Sequence, residues 1–306
     1  MNDQAKKLRE IINNLKKKNE NQNNLTISEN VTDNNNTRVI TITSGKGGVG
    51  KSNFTINLAL ALSKLGYKIT ILDADLGCAN IDVILGIIPK YTLANVIRRE
   101  KKLEEVLIEG PEGIRLISGG SGLRELTNLT EEQIVNLMNN LRSLGKNTDF
   151  ILIDTGAGIN NSVLSFIEAT SEVILVTTPE PTSITDAYAV LKNIILGDDE
   201  KVVRVLVNRV ENSQEGLEIF NKLNMASQKF LNISLQRLGY LYDDHLVSKS
   251  VKLQKPVLLS YPNSLVSKGV ETIASRLINE SNSEIFEVSG LKRFIHKFIY
   301  SCKKTS

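Results

Sequence analysis

Cysteine is nearly missing from this 306-residue chain, which has only Cys78 and Cys302. Two thiols cannot build a disulfide framework or a four-thiolate metal site within one chain. No apolar run approaches the roughly 18–20 residues that cross a bilayer, and the first residues contain no apolar signal-peptide core. A large charge of either sign is also absent: 37 Lys and Arg stand against 34 Asp and Glu, a formal net +3. Bulk charge is therefore not what would hold this chain to nucleic acid. No repeat recurs at a fixed period. What is present is 41% hydrophobic and 23% charged residues, enough apolar side chain for a sizeable core. The expectation is a soluble, cytosolic, mostly single-domain protein.

The charge is unevenly placed. Residues 1–18 hold six basic and two acidic side chains, and residues 289–306 hold five basic and none acidic. With a total of +3, residues 19–288 carry −6, so an acidic body has two basic ends that read as contact devices. Leu8, Ile11, Ile12 and Leu15 give residues 1–18 a helical stripe. The Asn-rich residues 19–37 read as a flexible linker. From Arg38 to about residue 275, short apolar runs (39–43, 68–72, 114–118, 150–153, 173–177 and 203–207) alternate with helical periodicity. That alternation predicts an α/β fold, a mostly parallel sheet covered by helices on both faces. Residues 276–288 read as a second linker. In 289–306, Leu291, Phe294, Ile295, Phe298 and Ile299 fall on one face and Lys292, Arg293, His296 and Lys297 on the other. A basic amphipathic helix with Phe on its apolar face reads as a reversible anchor on an anionic membrane surface. The bland alternative is a helix docked on the protein's own body.

Gly45-Lys46-Gly47-Gly48-Val49-Gly50-Lys51-Ser52 fits the phosphate-loop pattern, directly after a predicted strand and before a predicted helix. Its glycines let the backbone wrap phosphate, and the following helix adds its positive end. Lys51 is placed to reach the β/γ-phosphates of ATP, and Ser52 to hold Mg²⁺ through its hydroxyl. Two predicted strands end in acids, Asp73 and Asp75 in one case and Asp154 in the other. At the carboxyl ends of parallel strands these acids can face the loop, with Asp154 in the Mg²⁺ shell and Asp73 in support. Gly156 and Gly158 suit a segment that moves when a phosphate leaves.

Lys-Gly-Gly-Val-Gly-Lys-Ser resembles the deviant Walker A signature of the MinD/ParA ATPases. The resemblance implies that Lys46 crosses an ATP-sandwiched homodimer to the partner's phosphates. It implies that Asp75 orients the attacking water and touches the metal shell. Asn208, at the end of Leu206-Val207-Asn208-Arg209, would hydrogen-bond adenine. Gly239-Tyr240-Leu241-Tyr242-Asp243-Asp244 is similar to the family's second base-lining loop, with Tyr242 where proline is usual.

Asp3-Gln4-Ala5-Lys6-Lys7-Leu8-Arg9 looks like the signature of the FlhG (FleN) subfamily, which controls flagellar number and placement. The C-terminal stripe and Ser118-Gly119-Gly120-Ser121-Gly122-Leu123 are similar to that subfamily too. The resemblance implies that residues 1–18 activate the FlhF GTPase, with Gln4 and Arg9 as the contact residues, and that flagellar C-ring switch proteins are further partners. It implies slow, partner- and membrane-stimulated ATP hydrolysis and reversible residence on the cytoplasmic face of the cell membrane. A division-site MinD would share the ATPase and the anchor but begin close to its first strand. A ParA-type partition ATPase would bind DNA through surface cations, which the acidic body disfavours; no specific nucleic acid is expected. An iron–sulfur carrier of the same fold would need paired ligand cysteines.

Overall fold

The computed structural model describes residues 37–75, 80–120, 140, 143–197, 201–279, 290, 291, 293–295, 297 and 298. The predicted partner helix with Gln4 and Arg9, most of the first linker, and Ile299 lie outside the described residues.

Among them, eight strands form one sheet: β1 (Arg38–Ser44), β2 (Ile69–Ala74), β3 (Ile108–Glu109), β4 (Arg115–Ser118), β5 (Phe150–Ala157), β6 (Glu172–Thr177), β7 (Val202–Val210) and β8 (Gln236–Tyr242). Their spatial order is β3-β4-β2-β5-β1-β6-β7-β8. All pairs are parallel except the β3–β4 edge, where Ile108 faces Leu116. β2 and β6 are buried along their whole length, the consequence of helices on both faces and the reason these strands read as continuous apolar runs. β1 lies between β5 and β6. Strand order reverses there, which opens a crevice at its carboxyl end.

One face of the sheet packs on the Lys51–Lys64 and Leu265–Asn279 helices, through residues such as Phe54, Leu58, Val270 and Leu277. The other carries the Asn161–Ala169, Pro181–Gly197 and Ser213–Leu231 helices. Towards the amino ends of three neighbouring strands, Glu172 is clamped by two arginines. Arg38 Nη2 lies 2.6 Å and Arg204 Nη1 2.7 Å from Glu172 Oε2, all largely buried. Arg38 Nε also donates to Oε1, so the carboxylate is held on both oxygens.

Three boundaries differ from the expectation. The stretch at Gly239–Tyr242 is the end of strand β8 rather than a loop, because it pairs with β7 (Leu206 with Gly239, Val207 with Tyr240). The Leu265–Asn279 helix runs past 276, where the second linker was expected to begin. Leu277 is fully buried and Arg276 Nη1 donates to Leu238 O at 2.7 Å, so the helix continues. The third difference concerns the C-terminal stripe, expected to face a membrane. Leu291, Phe294, Ile295 and Phe298 are buried here against Val39, Leu72, Ile97, Ile153 and Phe166. Phe298 stacks on Phe166 at 4.8 Å between ring centres and on Phe294 at 5.5 Å. An apolar stripe is satisfied equally by lipid or by an open groove in a core, and this body supplies such a groove.

Candidate functional site

β1 delivers the chain into Gly45–Gly50, and the Lys51–Lys64 helix begins at once with Gly50 as its cap. Gly50 has φ of 92°, a left-handed conformation that costs glycine little. A Cβ there would strike the Asn208 amide nitrogen. At Gly45 a Cβ would strike the backbone of Asp186, so this loop lies tight against the Pro181–Gly197 helix. Gly47 and Gly48 are exposed and border open space, while Val49 is buried in the core.

The two loop lysines have separate situations. Lys51 is buried and its Nζ donates to Asp154 Oδ1 at 3.3 Å. Thr55 Oγ1, one helical turn on, donates to the same oxygen at 3.1 Å, and the nearby Ser52 hydroxyl favours the ionised form of Asp154. Lys46 is half-buried instead. Its Nζ lies 2.6 Å from Glu180 Oε2 and 3.1 Å from Thr182 Oγ1, at the start of the Pro181–Gly197 helix. That contact holds the Glu180 carboxyl below its usual range.

The acids meet as the strand register predicts, because Asp73 of β2 lies directly opposite Asp154 of β5. Burial raises the Asp154 pKa, opposed by Lys51, Ser52 and Thr55. Burial, and then repulsion from Asp154, pushes Asp73 up to about 7. The backbone N–H groups of Asp75 and Ile81 donate to Asp73 at 3.2 and 3.4 Å, which marks Asp73 as a support for the segment that carries Asp75. Asp75 sits at the end of β2, its Oδ1 only 3.4 Å from where a Cβ on Gly156 would lie. Gly158 has φ of 85° and its N–H donates to Ser44 O, tying the end of β5 to the start of the phosphate loop.

The donor set suits Mg²⁺. Asp154 Oδ2 is buried with no hydrogen-bond partner among the described residues, and the Ser52 hydroxyl is near enough to act on the same carboxylate. Hard oxygen donors with an unused lone pair are what a small divalent cation needs. Ser52 and Asp154 would hold the ion, with Asp75 close by.

A cavity of about 220 Å³ opens beside the loop, lined by Gly50, Phe54, Asn208, Arg209, Tyr242 and Asp243 among others. Asn208 and Tyr242 thus share a pocket next to the phosphate loop. Tyr242 meets Tyr240 edge-on at 5.6 Å. Asn208 is engaged within the protein: its Nδ2 donates to Val49 O at 2.7 Å and its Oδ1 accepts from Arg209 N at 3.0 Å. Thr55 and Glu180 were not anticipated. Thr55 was signalled only by its i+4 spacing from Lys51, and Glu180 by nothing local, being 134 residues from Lys46.

The doubly wound sheet and the loop at its switch point define a P-loop nucleotide-binding protein. A family model described as "ParA: NUBPL iron-transfer P-loop NTPase" matches residues 35–278. The chain belongs to this ParA/MinD family of P-loop NTPases. It is 42% identical over 240 residues to the antiactivator FleN of Pseudomonas aeruginosa, covering 78% of this chain and 86% of FleN. It is 35% identical over 267 residues to the flagellum site-determining protein YlxH of Helicobacter pylori, covering 86% and 90%. Among solved structures, MinD of Pyrococcus horikoshii complexed with Mg-ADP superposes with a TM-score of 0.63 at 27% identity, over 80% of this chain and 98% of that one. MinD in the MinC:MinD complex of Aquifex aeolicus gives the same TM-score at 26% identity, over 81% and 98%. The chain's two cysteines are Cys78 and Cys302, both outside the described residues. No helix among the described residues is long and apolar enough to cross a membrane.

Proposed function

We propose that this chain is an ATP- and Mg²⁺-dependent switch ATPase that regulates flagellar number or placement. The observation that carries the reading is the separation of the two loop lysines. Lys51 is buried on Asp154, which supports a role toward the chain's own nucleotide, while Lys46 lies half-buried at the rim on Glu180, which supports a role toward a second copy. ATP would join two copies face to face, with Lys46 of each on the other's phosphates. Mg²⁺, when bound, neutralises phosphate charge; Ser52 and Asp154 hold it, and Asp75 orients the attacking water. The site offers positioning rather than a strong base, so turnover is slow without a partner. Likeness to FleN and YlxH supports the flagellar assignment, and with it FlhF as the partner of residues 1–18 through Gln4 and Arg9, and C-ring switch proteins as further partners. The C-terminal helix would leave its groove to meet anionic lipid at the inner membrane surface, where each basic residue adds about 1 kcal/mol.

The test is light scattering of Asp75→Ala with Mg-ATP. This variant is expected to accumulate as a dimer that hydrolyses little, and the added Lys46→Ala change is expected to return it to monomer. A dimer that persists without Lys46 would refute the trans role. In cells, loss of the gene is expected to change flagellar number or position. Normal flagella with misplaced division septa would favour the division-site reading instead.

A further inference from the structure

The base pocket and the phosphate loop are joined by one side chain. Asn208 Nδ2 donates to Val49 O at 2.7 Å, inside the loop and 159 residues away in sequence. Arg209 N donates back to Asn208 Oδ1 at 3.0 Å, and Arg209 adopts φ of 59°, uncommon for a side chain of its size. The fit on the loop side is equally specific. Gly50 leaves vacant the space in which Asn208 Nδ2 sits, and the carbonyl of Gly50 accepts the first helical bond, from Phe54 N at 2.9 Å. Val49 is buried, so its carbonyl cannot turn freely to solvent for another partner. An amide has two N–H groups and two acceptor lone pairs, and one of each is already committed within the protein.

We propose that Asn208 is a positioning residue for the triphosphate as well as a wall of the base pocket: through Val49 it holds Gly45–Gly50 in the shape that receives phosphate. This rests on the reading of the loop as a nucleotide site. It differs from a role in base recognition alone, because it makes phosphate affinity depend on Asn208 even when no base is present. The end of β7, which carries Asn208, and the start of the Lys51–Lys64 helix then move as one piece, so a displacement at the base is felt at the phosphates.

The discriminating probe is inorganic tripolyphosphate, which has the phosphates and no base. Its binding, and that of ATP and GTP, is measured in the presence of Mg²⁺ by competition against a fluorescent ATP analogue. Two variants are compared with the natural chain: Asn208→Ala, and Asn208→Leu, which keeps much of the volume and adds no charge while losing the donor to Val49. Melting without ligand confirms that each is folded. Loss of a hydrogen bond of this kind corresponds to about tenfold in affinity. The expected result is an about tenfold loss for tripolyphosphate in both folded variants, with ATP and GTP losing at least as much. Unchanged tripolyphosphate affinity beside weakened ATP would overturn the tether and leave Asn208 a base contact only. A natural chain that binds ATP but not tripolyphosphate would overturn it too, since a loop already held in shape grips bare phosphates. A natural chain that binds no ATP would overturn this inference together with the nucleotide reading on which it rests.

Discussion

Lys46 and Glu180, 134 residues apart, meet through a 2.6 Å contact on the rim of the phosphate loop. The lysine proposed to serve a second copy is therefore held by its own chain, with Thr182 as a further acceptor. Both side chains are substantially exposed, so the contact is screened and weak. Glu180→Gln is expected to shift the ATP concentration at which Asp75→Ala dimerises downward by about two- to fivefold. Light scattering across an ATP titration checks this, and an upward shift would show that Glu180 helps the dimer rather than competing with it.

The buried Lys51–Asp154 contact behaves differently. Replacing Lys51 by Met removes the partner that helps Asp154 tolerate burial. Nucleotide binding is expected to vanish and the melting temperature to fall. Adding Asp154→Asn is expected to restore melting but not binding, because the buried charge goes while the phosphate-facing cation stays lost. Additive losses in this cycle would show that the two residues act independently.

At the opposite end of the strands, two buried arginines share the single carboxylate of Glu172. Glu172→Ala leaves both without their shared carboxylate and is expected to cost about 3–5 kcal/mol in urea unfolding. The exposed Lys64–Glu271 pair at 3.6 Å serves as the contrast: Glu271→Ala is expected to cost under about 1 kcal/mol.

Asp73 gives the chain a signed pH dependence. Its pKa is raised from 3.8 to about 7 by burial and by Asp154. Between those values the folded state keeps a proton that the unfolded state releases. Stability of the nucleotide-free protein is therefore expected to fall as pH rises from about 4 to 7, by at most about 4 kcal/mol. Asp73→Asn should flatten the slope in that window. Urea melts at pH 5, 6 and 7 measure the difference between the two proteins, and equal slopes would contradict the assignment.

Much of the site was legible because its parts are local. A glycine loop between a strand and a helix announces itself, and so do acids at the ends of apolar strands. The parallel register then does the rest, placing Asp73 beside Asp154. Glu180 was illegible because only folding brings it to Lys46. β3 escaped notice as a two-residue antiparallel edge, and β8 because its exposed amino end and glycine interrupt the apolar run. The C-terminal stripe was read as amphipathic, but periodicity says that a face is apolar and not what covers it. The groove formed around Val39, Leu72 and Phe166 is assembled from three separate strands and helices, so no local window contains it.

That groove sets a competition. Leu291, Phe294, Ile295 and Phe298 close one side of the core, and under the proposed function these four, with Ile299, are the side chains that a bilayer would take up. On that proposal, whatever holds the helix home would be subtracted from its attraction to lipid, and the body left behind would expose the wall those residues had covered. Attachment and integrity are thus two ends of one balance. A variant that grips the membrane more firmly by loosening this seat should also be the one that unfolds first.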